Sequence, residues 1–314
     1  MARSSTRDPG RANSAERGVT IDQTPRQSSD EDRFAGHGRG GNLSTDLIGD
    51  KRQFPSASRS IAQESRTRYQ DRDRTYSLRS TAMESMIDIG RFRTVDTSDL
   101  ARFVYRGDVA RMMQDHRSLR EQGLIEPKTL FRTHNSARKL VTLTELGRRI
   151  VTKAAGLGDG QRLYHGFVRP KELDHDADLY KVYQEAVRQI QENGGRPLRV
   201  RLDFELKEAI SRAKESSKAF PYEKRTTLLA AAVRRNGLTM EGTTIRFPDI
   251  QLEYETRDGN IERENLELLS RSYGPERIRG KAGSGFRMYA HAREANRALR
   301  TLGDSGHVVE VLSA

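Results

Sequence analysis

The chain has 314 residues, with 56 Lys plus Arg against 44 Asp plus Glu for a net charge of +12, and only 34% of its residues are hydrophobic. So small an apolar share cannot core the whole length, and part of the chain is expected to stay unfolded. The lack of cysteine excludes disulfide scaffolds, thiolate zinc sites and cysteine nucleophiles.

The longest apolar run, Leu228 to Val233, is far shorter than the roughly 20 residues that span a bilayer. Residues 1–11 hold no apolar stretch, so no secretory signal is expected and a cytoplasmic location is. Residues 1–79 carry 15 Lys plus Arg against 11 acids, with isolated apolar residues and no sustained period. They are expected to form a disordered tail, because they cannot bury enough surface to offset backbone entropy. Asp30, Glu31 and Asp32 interrupt its positive charge, which favours a solvated tail over a nucleic-acid arm.

From residue 80 the pattern changes. Met83, Met86, Ile87 and Ile89 to Phe92 follow a helical spacing, and Asp96 and Thr97 offer N-caps for a second helix. Arg106 and Gly107 make a turn into a third helix over 108–122, which ends at Gly123. Leu124 to Glu126 and Leu140 to Leu143 read as two strands around a polar loop, and Thr144 caps a closing helix. The segment 80–153 holds 14 basic residues against 9 acidic ones, the densest excess in the chain.

That order, carried by "RSLREQGLIEP" and "RKLVTLTELGRRI", resembles the winged helix-turn-helix of bacterial transcription regulators. The resemblance implies a double-stranded DNA partner, with the third helix in the major groove. Projected at 100° per residue, Val109, Met112, Met113, His116 and Leu119 share a face expected to be core. Arg111, Gln114 and Ser118 lie opposite, flanked by Arg117 and Asp115. Arg can pair with guanine and Gln with adenine. Lys128, Arg132, His134, Arg138 and Lys139 around the loop are expected to meet phosphates or the minor groove.

After a glycine-containing link, residues 162–314 read as an α/β domain. A helix is expected over 176–192, a strand over 197–205 and then two helices. "TTIRFPDIQLEYETRDG" reads as a strand leading to a turn at Asp258 and Gly259, with "NIERENLELL" as its hairpin partner. Pro275 opens a further helix, "HAREANRALRTLG" is another, and "HVVEVL" is a final strand. Asp174, Asp176 and Asp178 sit at a helix start, where acids suit the dipole. They read as caps rather than as a metal set with His165 and His175. The whole chain is thus expected to be α+β: a tail, a winged helix and an α/β domain.

The order of elements in that last domain resembles the PD-(D/E)XK nuclease fold. The resemblance implies Mg²⁺ as cofactor, held by Asp249 of "FPDIQLEYE" and Glu267 of "NLELL". Leu269 stands where the family has its lysine, and Lys281 is the migrated cation that could replace it. Glu253, Glu255, Glu262 and Glu264 give the plainer alternative of an acidic, solvated hairpin.

Together with the winged helix, "LYHGFV", "PDIQLEYET", "ENLELLSRSY" and "RGKAGSGFRMYA" resemble the replication-relaxation family of plasmid and conjugative-element proteins, over residues 80–290. The resemblance implies a DNA-binding protein of a bacterial mobile element, acting in plasmid replication, DNA relaxation or its regulation, with a nuclease-like domain read as non-catalytic. Two alternatives stand beside it. One is a Mg²⁺-dependent endonuclease or nickase using Asp249, Glu267 and Lys281; the other is an adaptor for replication or transfer proteins. Winged helices often pair as homodimers, and the sequence leaves that open.

Overall fold

A computed structural model describes residues 65–131, 137–157, 160–167, 172–303 and 308–312. The expected tail over residues 1–64 lies outside them, as do Arg132 and His134. Residues 66–79, assigned by composition to the tail, instead form a hairpin of β1 (Arg66–Asp71) and β2 (Arg74–Arg79). Its turn places Arg72 at φ 51°. Two alternate side chains, Tyr76 and Leu78, are buried, and Asp71 is buried against Lys153 at 2.6 Å and Arg149 at 3.2 Å. The arginines of this stretch hide a two-residue apolar alternation too short to stand out in a composition count.

Next come α1 (Ser80–Phe92), β3 (Val95–Asp96), α2 (Thr97–Phe103), α3 (Val109–Glu121), β4 (Ile125–Phe131), β5 (Ala137–Leu143) and α4 (Glu145–Ala154). The strands pair antiparallel in the order β3-β5-β4. Each helix after the first starts on a side-chain cap: Asp96 accepts from the Ser98 amide, Asp108 from that of Arg111, and Thr144 from that of Gly147. Gly147 lets α4 press on the link between α3 and β4, since a Cβ there would lie 2.0 Å from the Leu124 carbonyl oxygen.

The chain continues with α5 (Leu173–Glu192), β6 (Arg196–Leu202), α6 (Asp203–Ser217), α7 (Tyr222–Arg235), β7 (Thr239–Glu241), β8 (Thr244–Arg246), β9 (Ile250–Glu255) and β10 (Ile261–Leu268). It closes with α8 (Pro275–Gly283), β11 (Arg287–Ala290), α9 (Ala292–Leu302) and β12 (Val309–Val311). A five-stranded sheet runs β12-β11-β10-β9-β6, antiparallel from β6 to β10 and parallel from β10 to β12. Two expectations are corrected here. The single strand expected over residues 243–256 is broken near Pro248, which has no amide to donate, so β8 pairs with β7 in a separate ribbon. The short strand β11 was not foreseen; its residues Arg287–Ala290 follow α8 with no polar alternation to mark them.

The largest core runs from β2 and α1–α4 through α5 to the five-stranded sheet, with separate clusters around α8 and α9 and between α6 and α7. Phe92 of α1 packs its ring 5.4 Å from Tyr180 and 5.0 Å from Tyr183 of α5, and Phe103 of α2 lies 5.8 Å from Tyr180. Such ring pairs add about 0.5–1.5 kcal/mol each beyond their buried area. The Tyr180 hydroxyl is satisfied by donating to Asp88 at 2.7 Å.

Candidate nucleic-acid interface and carboxylate cluster

The helix α3 is rotated relative to the sequence projection. Met112, Asp115 and Leu119 are buried, while Val109 and Met113, expected in the core, are 51% and 55% exposed. The reason is Asp115. Its carboxylate accepts from Arg79 at 2.6 Å and from Thr81 at 3.1 Å, so a charged side chain can take an inward position that the apolar pattern assigned elsewhere. His116 is also turned inward, 3.1 Å from the Ser85 hydroxyl, and burial lowers its pKa to about 4.

The side chains of the expected reading face consequently have partners within the protein or are partly buried, although Gln114 stays exposed. Gln114 accepts from Arg79 at 3.0 Å, the Ser118 hydroxyl accepts from Gln122 at 3.0 Å, and Arg111 is half-buried. Arg117 and Arg120 are exposed. They border a groove of about 670 Å³ between α2, α3, β4 and β5. Met112, Ile125, Leu140 and Val141 form its floor, and Lys128 and Lys139 its far rim. The structure therefore brings Arg117, Lys128 and Lys139 together with Arg120, which the sequence reading did not single out.

Arg138 is not on that rim. It is half-buried and meets three carboxylates: Asp96 at 2.7 Å, Asp174 at 3.1 Å and Asp178 at 3.0 Å. Burial works against its charge, and Asp178, Asp96 and Asp174 more than offset that, so its pKa rises. Arg138 leaves the expected DNA-contacting set and instead ties β5 to α5. The acids at the start of α5 do not cap it, since Glu172 occupies the N-cap position without a side-chain bond; Asp174 and Asp178 hold Arg138.

The second cluster forms where β9 and β10 lie side by side, with Asp249 just before β9 and Glu267 near the end of β10. The Asp249 amide donates to Glu267 Oε2 at 3.2 Å, and the Leu268 amide donates to Asp249 Oδ2 at 2.9 Å. From α8, Lys281 donates to Glu267 Oε2 at 2.8 Å and also to the Phe247 carbonyl. Asp249, Glu267 and Lys281 are thus brought together.

Two further partners come from outside the motif. Tyr273 donates to Glu267 Oε1 at 2.7 Å, and His175 Nε2 lies 3.5 Å from Asp249 Oδ1. Burial and then the nearby Asp249 charge push the Glu267 carboxyl up, against the pull of Lys281 and Tyr273. Burial opposes a charged His175, yet Asp249 holds it up at about 9. Neither partner has a local signature, because each is delivered by tertiary packing. Leu269, where the resemblance implied a lysine, is buried among Tyr273, Ile278 and Met288.

These residues do not fit a Mg²⁺ ion. Such an ion takes near-octahedral oxygen ligands and keeps several waters. Glu267 is fully buried with both oxygens already accepting hydrogen bonds, and both oxygens of Asp249 are engaged by Leu268 and His175. Among the described residues no group of three or more His, Asp or Glu is arranged to hold a metal. No helix among them is long and apolar enough to cross a membrane.

No family model matches the chain, and no curated protein matches it. Among solved structures it is similar to Bacillus subtilis PadR in complex with operator DNA, at 15% identity over 49% of this chain and 90% of that one, with a TM-score of 0.21.

Proposed function

We propose that this protein binds double-stranded DNA through residues 80–153, folded as a winged helix. The supporting observation is the groove beside α3, bordered by the exposed cations Arg117, Arg120, Lys128 and Lys139, in a segment ordered α1-β3-α2-α3-β4-β5-α4 with the sheet β3-β5-β4. A cationic rim of this kind suits phosphates on either side of a groove-bound helix. The motif resemblance extends the reading to a protein of a bacterial mobile element, acting in plasmid replication, DNA relaxation or its regulation.

Residues 162–314 form, in this reading, a nuclease-like domain without nuclease activity. The engaged carboxylates and the buried Lys281–Glu267 pair support that part. Fluorescence anisotropy of the full chain on duplex DNA across a salt series tests the binding. A steep negative slope of log affinity against log salt is expected, and no binding at low salt overturns the proposal. Incubating supercoiled plasmid with Mg²⁺ or Mn²⁺ tests the rest: no nicking is expected, and nicking abolished by Asp249→Ala would restore the endonuclease reading.

A further inference from the structure

We propose that the winged helix selects its DNA by the C5-methyl groups of thymine, through Val109 and Met113. The inference rests on the DNA-binding reading above and concerns what that helix reads.

The polar side chains first suited to base edges are each held by a partner within the protein or partly buried. Gln114 is exposed but its side-chain oxygen already accepts from Arg79, the Ser118 hydroxyl accepts from Gln122, and Arg111 is half-buried beside the Asp108 cap. What α3 shows to solvent in its first turns is Val109, Ala110, Met113 and the Arg79-bonded Gln114, followed by Arg117. Single exposed apolar residues are ordinary on a protein surface. Here two large ones stand one helical turn apart, at the lip of a groove whose rim carries four basic side chains. The exposed acids of the helix are the Asp108 cap at one end and Glu121 at the other, and Glu126 follows on β4.

The charge complementarity points to a polyanion as occupant, and the apolar pair restricts what it must offer between its phosphates. In the major groove the thymine methyl is the one bulky apolar group on a base edge, the cytosine C5–H at the same position being far smaller. Four residues of helix advance about 6 Å. Two steps of a DNA strand advance about 6.8 Å. Val109 and Met113 therefore match two methyl groups about two base steps apart, and Arg117 one turn further on is placed for a phosphate or a guanine. Both side chains are exposed, so shortening them leaves the core intact.

The test takes the full chain, selects bound duplexes from a random library, and compares the selected duplex with versions carrying deoxyuridine in place of each thymine. Losing one methyl contact should weaken binding about fourfold, the factor given by about 0.8 kcal/mol per buried methyl-sized group. Two positions should show the effect. Val109→Ala should remove the thymine preference at one and Met113→Ala at the other, with affinity for the doubly substituted duplex unchanged. Sequence-selective binding with equal affinity for thymine and deoxyuridine overturns this proposal and leaves the DNA-binding reading standing. So does a preference that survives both substitutions while self-association, followed by sedimentation, is lost, which would assign the apolar pair to a protein contact. Failure to bind any duplex overturns both.

Discussion

Lys281 on α8 and Glu267 on β10 form a 2.8 Å ion pair that is buried on both sides, with the glutamate fully enclosed. A pair of this kind is held by its own geometry, because either charge left alone inside the protein would be far costlier than the pair.

Substituting Lys281 by Met should therefore destabilise the fold by about 3–5 kcal/mol, the usual cost of stranding one member of a buried pair. The double variant Lys281→Met with Glu267→Leu should recover a large part of that loss. Urea denaturation of the three proteins measures it; a single variant as stable as the parent would show that Glu267 finds another partner.

Arg138 offers a second case with a different chemistry. Its guanidinium faces three carboxylates from two directions, which one ammonium cannot reproduce. Arg138→Lys should lower stability nearly as much as Arg138→Ala, by about 3 kcal/mol or more. Thermal unfolding would show it, and a lysine variant indistinguishable from the parent would contradict the role of the fork.

Acid should weaken the fold partly through His116. Burial lowers its imidazole to about 4, below the value of about 6.5 that it has in an unfolded chain. Between those values the unfolded chain holds a proton that the folded one lacks, so stability declines as pH falls from about 6.5 to about 4. His116→Gln keeps a polar partner for Ser85 and should flatten that decline. Urea midpoints taken across the window are the measurement, and parallel decline in both proteins would argue against it.

Gly147 is predicted to tolerate no side chain. A methyl there meets the Leu124 backbone carbonyl rather than a flexible side-chain end, so α4 must move away from the chain that enters β4. Gly147→Ala should cost about 1–3 kcal/mol, toward the upper end. Gly283→Ala in α8 is a control, since nothing lies within 4 Å of the added carbon.

On DNA, Lys139→Ala and Lys128→Ala should weaken all duplexes alike and reduce the salt slope by about one each, as expected for phosphate contacts. Discrimination among sequences should not change; a change confined to some sequences would mean that these lysines touch bases.

The caps and glycines were legible in the sequence because their signals are local: Asp96, Thr144 and Gly123 act within three or four residues of their partners. The trio of Asp249, Glu267 and Lys281 was legible through the resemblance of short motifs. The rotation of α3 was not, since it depends on Arg79, 36 residues before Asp115, supplying the charge that lets an aspartate face inward. Arg138 misled for the same reason. A basic residue in a loop-flanking strand reads as a surface cation until three aspartates from β3 and α5 are seen around it. His175 and Tyr273 join the carboxylates only once α5 and the segment after β10 have packed.

The ring contacts of Phe92 and Phe103 with Tyr180 and Tyr183 have a thermodynamic corollary. Helices α1 and α2 bury their aromatic faces on α5, and α5 buries its own on the five-stranded sheet, so neither side can loosen without stripping the other of its lining. The residues of that shared lining, from Tyr76 to the strands of the sheet, should therefore melt in one cooperative transition on heating, rather than in two at separate temperatures.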